Sequence, residues 1–144
     1  MAHYVLAVTS WLMLVVHLYI VNFMPGGSVM LCLMYVAGPM TSIWNHTATS
    51  ARARLADRVV MAVGLVCDWA HAATVYEGAY VIAMSSCAVG LYVLAKAASG
   101  FKSRAPGEGI MVIPTALHVM AHGLVTVTHA WLWIALWFDY RAVD

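Results

Sequence analysis

The sequence predicts an all-α bundle of transmembrane helices, and two observations support this fold class. Hydrophobic residues occupy 64% of the 144 positions, whereas Asp, Glu, Lys and Arg together occupy 9%. A soluble domain of average composition has about 25% charged residues, so this chain has too few charges to cover a surface in water. Its apolar residues also fall into five long runs that are separated by short polar or glycine-rich breaks.

Each apolar run is taken as one membrane span. A helix needs about 20 mostly apolar residues to cross the hydrocarbon core of a bilayer. Pro25-Gly26-Gly27 ends the first run, and a polar stretch at 99–108 separates the last two. We expect a single transmembrane domain over residues 1–144, with spans at about 4–23, 28–45, 55–76, 79–98 and 112–138.

The basic residues predict the orientation. They cluster around the loop between spans two and three and the loop between spans four and five, which lie on the same side of the membrane: Arg52, Arg54, Arg58, Lys96, Lys102 and Arg104. Cytoplasmic loops carry an excess of Lys and Arg, so we expect a cytoplasmic N-terminus and a C-terminus outside the cell or in a lumen. The glycosylation sequon Asn45-His46-Thr47 would require the opposite orientation if it were used.

Neither a basic stripe nor a nucleic-acid-reading motif is present, which argues against a nucleic-acid partner. The three cysteines, Cys32, Cys67 and Cys87, lie inside apolar runs and form no CxxC pair. They are expected to pack as small apolar side chains.

Five polar residues are predicted to meet at the cytoplasmic side of the bundle. Ser42 and His46 are four residues apart and share a helix face, as do His118 and His122. Asp57 begins the third span at the same membrane side. This convergence depends on the helix count, because four or six spans instead of five would place the last histidine pair at the opposite side of the membrane.

Three histidines from two helices suit a catalytic zinc site. Neutral imidazole is a good zinc ligand, and three protein ligands leave a fourth position for water. Zinc lowers the pKa of such a water to about 7. Asp57 would take a proton from the water or orient a ligand, and Ser42 would hydrogen-bond a developing oxyanion or support a ligand. Taken singly, each residue is more simply explained as a helix-packing or helix-capping group.

The ordered set SxxxH (Ser42 to His46), then Asp57, then HxxxH (His118 to His122) resembles the signature of the CREST superfamily of membrane hydrolases. The spacing is most similar to that of the alkaline ceramidases. The resemblance implies that His46, His118 and His122 hold zinc, with Ser42 and Asp57 beside the metal-bound water, and that the substrate is a membrane lipid with an amide or ester bond. The family has seven helices, so a five-helix chain would be a shortened member.

A second set of polar residues is predicted deeper in the membrane. Asp68 follows Asp57 by eleven residues, and His129 follows His118 by eleven, which is close to three helical turns, or about 16 Å. Asp68 and His129 are therefore expected at similar depth, where the simplest role is an ion pair or hydrogen bond between helices. A second metal, a proton relay, or a haem between His71 and His129 is the alternative, and His17 is expected to lie deep as well.

Three functions follow from these patterns. The first is a zinc-dependent hydrolase of a lipid amide or ester. The second is a non-enzymatic protein, such as a small subunit of a larger membrane complex or a virion membrane protein, in which the buried polar residues only join helices. The partners expected of the chain are a membrane lipid substrate and either further copies of itself, in a homo-oligomer, or a larger membrane complex. The third is a haem-binding or quinone-linked redox protein that uses the deeper layer.

Overall fold

A computed structural model of the chain describes residues 2–23, 27–48, 50–101 and 112–141. Within these ranges every regular element is a helix, so the predicted all-α bundle is confirmed. The five helices are α1 (Ala2–Phe23), α2 (Val29–Ala48), α3 (Ala51–Ala72), α4 (Gly78–Phe101) and α5 (Val112–Arg141). The predicted turn at Pro25-Gly26 and most of the predicted polar stretch at 99–108 lie outside the described residues.

Three of the described helices are long and apolar enough to cross a membrane. The segments that qualify are His3–Phe23 in α1, Gly78–Ser99 in α4 and Val112–Asp139 in α5. Helix α3 is more polar, because it carries five charged side chains: Arg52, Arg54, Asp57, Arg58 and Asp68.

The third helix begins and ends about one turn earlier than the apolar pattern suggests. Ser50 caps its N-terminus with extended backbone angles (φ −81°, ψ 155°), and the Ser50 hydroxyl accepts a hydrogen bond from the backbone N–H of Ala53 at 3.1 Å. Side-chain oxygens at this position satisfy backbone N–H groups that have no partner within the helix. Because of this cap the helix begins at Ala51. Its first turn therefore includes polar residues that the apolar pattern left outside the span.

A tight connection joins α3 to α4. The backbone N–H of Gly78 donates to the carbonyl oxygen of Val75 at 3.1 Å, and the chain enters α4 close to the end of α3. A Cβ atom on Gly78 would lie 1.6 Å from the carbonyl oxygen of Ala72. Only glycine fits at this point of the turn.

The helices form a ring. Each packs against the next in sequence, and α5 also packs against α1, which closes the ring. One end of the bundle is filled by an apolar core drawn from the end of α1, the start of α2, the α3–α4 connection, the start of α4 and the end of α5: Ile20, Leu31, Tyr35, Ala72, Val75, Val81, Leu132 and Trp133. The other end holds most of the buried polar residues, and we call it the histidine end, after His46, His118 and His122.

Candidate metal centre

The three histidines of the predicted metal site lie together at the histidine end. His46 comes from the last turn of α2, whereas His118 and His122 lie on successive turns near the start of α5. Each offers a ring nitrogen, and the three nitrogens lie within 4.8 Å of one another. The ring centroids of His46 and His118 are 5.1 Å apart, and those of His118 and His122 are 4.8 Å apart. This group can hold a metal ion.

Thr9 of α1 fixes the orientation of His122. The Thr9 hydroxyl lies 3.0 Å from the carbonyl oxygen of Leu6 and 2.9 Å from Nδ1 of His122. A hydroxyl has one hydrogen, and a carbonyl oxygen only accepts. Both contacts are satisfied together only when Thr9 donates to Leu6 and His122 donates its Nδ1 hydrogen to Thr9. The neutral ring then presents the bare lone pair of Nε2, as a metal ligand must.

His46 has a buried nitrogen with no hydrogen-bond partner among the described residues. That atom is Nε2, and the residue is 6% exposed. A buried polar atom without a partner costs about 1–3 kcal/mol, and a metal ion bound at Nε2 would remove that cost. The ring of His118 packs edge-on against two other rings. Its centroid lies 5.3 Å from that of Tyr92 of α4 and 5.1 Å from that of His46.

Ser42 also lies beside the histidines, and its hydrogen points away from them. Ser10 of α1 donates to the carbonyl oxygen of Leu6 at 2.8 Å, so its single hydrogen is used. The Ser42 hydroxyl, 2.9 Å from that of Ser10, is therefore the donor of this second contact. Ser42 Oγ lies 3.5 Å from Nε2 of His122. Because its hydrogen is used at Ser10, it presents only lone pairs towards the histidines. It is thus placed to accept a hydrogen bond from a water molecule.

Asp57 is held by Asn45. The amide nitrogen of Asn45 donates to Oδ2 of Asp57 at 2.7 Å. Oδ1 of Asp57 is buried and has no partner among the described residues. One carboxylate oxygen is therefore fixed while the other can accept a proton or a hydrogen bond from a ligand.

The donor set fits zinc with a modest contraction. Two nitrogens on one tetrahedral zinc lie about 3.4 Å apart, given a zinc–nitrogen bond of about 2.0–2.1 Å. The three ligand nitrogens, at separations of up to 4.8 Å, need to approach by about 1–1.5 Å. Rotation of the imidazole rings about their side-chain torsions would have to provide this movement.

A cavity of about 140 Å³ extends from the histidines along the inside of the helix ring. At one end its walls include Ser42, Asp57, His118 and His122, and at the other end they include Asp68 and His129. The walls between are apolar: Val60, Met61, Leu65, Ala88, Val89 and Val125. The cavity therefore connects the two polar layers that the sequence predicts.

The predicted contact between Asp68 and His129 is confirmed. Nε2 of His129 lies 2.8 Å from Oδ2 of Asp68, and its Nδ1 lies 2.6 Å from Nε2 of His17. His71 lies elsewhere, with Nε2 on the Ser28 hydroxyl at 2.9 Å and Nδ1 on the carbonyl oxygen of Cys67 at 2.7 Å. All four ring nitrogens of His71 and His129 thus have hydrogen-bond partners, so the arrangement does not favour a haem between them.

Four residues that support the site were not predicted from the sequence: Thr9, Ser10, Asn45 and Tyr92. Thr9 and Ser10 lie in an apolar run of α1, where a hydroxyl is a common packing group. In the sequence Asn45 is notable only as part of a sequon, and Tyr92 is one aromatic residue within an apolar run. The signal available in the sequence is the adjacency of Thr9 and Ser10, two polar residues at the histidine end of a helix that is otherwise apolar there.

Comparison with protein-family models, with curated proteins and with solved structures finds no match to this chain. The likeness to the CREST superfamily therefore rests on five residues, Ser42, His46, Asp57, His118 and His122, and on their order along the chain.

Proposed function

We propose that this protein is a zinc-dependent membrane hydrolase that cleaves an amide or ester bond of a lipid. The observation that carries the proposal is the group of three histidines, of which His46 and His118 are buried and His122 is half-buried. His118 and His122 line one end of a largely apolar cavity. Three imidazole ligands with an open fourth position are typical of catalytic zinc. Bound zinc would make hydroxide available at neutral pH and would polarise a carbonyl oxygen.

The surrounding residues have separate tasks in this proposal. Thr9 holds His122 in the tautomer that presents Nε2. Asp57, fixed by Asn45, uses its unpaired oxygen to take a proton from the attacking water. Ser42 accepts a hydrogen bond from that water, because its own hydrogen is committed to Ser10. This differs from the oxyanion-donor role expected from the sequence, in which Ser42 would have to give its hydrogen to the substrate.

The cavity favours an elongated apolar substrate with its polar group at the histidines. Its volume of about 140 Å³ is below the 300–1,000 Å³ of a typical small-molecule pocket. The bond to be cleaved and the first few carbons of a chain would occupy it, and the remainder of the lipid would extend between the helices into the bilayer.

All five helices are proposed to cross the membrane, with the histidine end on the cytoplasmic side. Helices α2 and α3 complete the ring with the three apolar helices, and Arg52, Arg54 and Lys96 lie towards the same end as the three histidines. Cytoplasmic excess of basic residues then sets the orientation. The chain would be a CREST member reduced from seven helices to five, with the SxxxH, Asp and HxxxH motifs retained.

The proposal is tested by lipid hydrolysis with purified protein. Lipid amides and esters, with ceramides among them, are offered to the zinc-loaded protein in mixed micelles, and released fatty acid is measured. We expect activity that His46→Ala and His118→Ala abolish. His71→Ala is the matched control, because His71 lies at the opposite end of the bundle and contacts Ser28. If all three variants retain the activity of the unmodified chain, the histidine site is not responsible for it.

A further inference from the structure

A chain of three hydrogen bonds runs through the middle of the bundle from α1 to α3. Nδ1 of His17 lies 2.6 Å from the carbonyl oxygen of Met13, and Nε2 of His17 lies 2.6 Å from Nδ1 of His129. Nε2 of His129 then lies 2.8 Å from Oδ2 of Asp68. His17 is 0% exposed and Asp68 is 4% exposed, so these ionisable groups are buried inside the bundle. Within the proposed membrane spans such groups are costly and often functional.

The carbonyl oxygen of Met13 determines which atom donates in each of these hydrogen bonds. Because a carbonyl oxygen only accepts, Nδ1 of His17 must carry a hydrogen. A neutral His17 then has a bare Nε2, which needs a hydrogen from Nδ1 of His129. A His129 that donates at Nδ1 has one further nitrogen, Nε2, and it faces the carboxyl group of Asp68.

This geometry fits one shared proton. The proton can reside on Asp68, on His129 or on His17, and in each case every contact has one hydrogen and the set is electrically neutral. Without it, Asp68 is a carboxylate and two lone pairs oppose each other, either between His17 and His129 or between His129 and Asp68. A second added proton would either place two N–H groups face to face or lie on Oδ1 of Asp68, which is buried and has no partner among the described residues. In both cases the set would carry a net positive charge inside the bundle.

The other ionisable groups near these hydrogen bonds do not bond to the ring nitrogens of His17 and His129. Tyr35 of α2 stacks on the ring of His129 with centroids 4.2 Å apart, and its hydroxyl donates to the backbone carbonyl of His129 at 3.2 Å. Cys32 of α2 and Cys67 of α3 pack against the apolar core. The cavity wall contributed by α4 at this depth is Ser85, and Met13 is the cavity-lining residue of α1.

The hydrogen-bonded side chains lie between an apolar core and the cavity, and the side chain of His129 is 14% exposed. The apolar core, which includes Leu31, Leu132 and Trp133, closes the bundle beyond Tyr35. On the other side, Asp68 and His129 line the cavity that leads to the histidine end. Gly64 lies on α3 between Asp57 and Asp68, and all three line this cavity.

We propose that His17, His129 and Asp68 form a binding site for one proton, which exchanges through the cavity with the histidine end and not with the opposite membrane surface. The site stands on its own hydrogen bonds and does not require a metal at His46, His118 and His122. It is therefore a separate property of the bundle from the hydrolase activity.

The experiment follows the ring N–H hydrogens by NMR in protein labelled with 15N-histidine and reconstituted in nanodiscs. After transfer to D2O, the hydrogens of His17 and His129 are expected to exchange together while the protein stays folded. His118→Ala should leave this exchange unchanged, which separates it from any failure of the metal site. Exchange that occurs only when the whole protein unfolds would overturn the proposal.

Two variants distinguish a proton site from a structural contact. Asp68→Asn keeps the chain of hydrogen bonds, since its amide donates to His129, but it removes the shared proton. When the pH of the folded protein is raised, the rings of His17 and His129 should change together, in one step, as the shared proton is lost from the unmodified chain. The same step should be absent in Asp68→Asn. Separate titration of the two rings, or the same step in the variant, would contradict a shared proton.

The route is tested with Gly64→Leu. A Cβ atom at Gly64 has no neighbour within 4 Å, so the new side chain can extend into the cavity. We expect exchange at His17 and His129 to slow at least about tenfold, or about 1.4 kcal/mol. Gly90→Leu is the control, because Gly90 has the same free space and does not line the cavity. Equal rates in both variants, or proton passage across sealed vesicles, would show that the route is wrong.

Discussion

Thr9 and His122 are separated by 113 residues in sequence, yet the Thr9 hydroxyl oxygen lies 2.9 Å from Nδ1 of His122. Because Thr9 also donates to Leu6, this contact selects the tautomer of His122 that leaves Nε2 bare. The first helix therefore contributes to the candidate metal centre, although it supplies none of the ligands.

Thr9→Val should weaken zinc binding, since valine has the shape of threonine without the oxygen that holds His122. Loss of a hydrogen-bond partner of a metal ligand typically costs 10–100-fold in affinity. Competition with a chelator of known affinity measures the change. Thr41→Val is the matched control, because the Thr41 hydroxyl bonds only to carbonyls of its own helix at 3.0 Å. Equal affinity in the two variants would remove Thr9 from the site.

Asp57→Asn should slow hydrolysis strongly without loss of the metal. The asparagine can still accept the hydrogen bond of Asn45, but it cannot take a proton from water. Removal of a general base typically lowers the rate about 10²–10⁴-fold. Lipid hydrolysis and metal content are measured on the same preparation. A variant that lost its zinc would instead identify Asp57 as a group that holds the metal centre together.

Asn45 should stay unglycosylated when the chain is inserted into microsomes. Its side chain is 9% exposed and donates to Asp57, and the proposed orientation places it on the cytoplasmic side. An acceptor sequon appended after Asp144 should be modified, because the C-terminus is expected in the lumen. A gel shift that depends on Asn45 would reverse the orientation of the whole bundle.

Gly78→Ala should destabilise the bundle, because the added methyl group would meet the carbonyl oxygen of Ala72. Steric insertions of this kind cost about 1–3 kcal/mol. Gly90→Ala, at a position with no neighbour within 4 Å, should be neutral or slightly stabilising. Unfolding in denaturing detergent, followed by tryptophan fluorescence, compares the two variants. Equal stability would show that the α3–α4 connection differs from the one described.

The fold was predictable from the sequence to the extent that it depends on the length of apolar runs. Five runs gave five helices, and the eleven-residue spacings brought Asp68 to His129. The start of α3 was not predictable from apolarity, because it depends on the Ser50 cap, which makes a polar first turn stable.

The candidate site was only partly predictable. Helical spacing places His118 beside His122, and the alternation of helix direction brings His46 to the same end. The partners of these residues depend on which helices are neighbours in the ring, and apolar spans carry little information about that. Thr9 reaches His122 because α1 packs against α5, and His17 reaches His129 for the same reason.

The most direct test of the metal centre is the metal content of protein purified without chelators, measured by plasma mass spectrometry. We predict one zinc per chain in the unmodified protein and in His71→Ala, and none in His118→Ala, with all three proteins folded by circular dichroism. Folded, unmodified protein that holds no metal after incubation with zinc would contradict a metal centre at His46, His118 and His122.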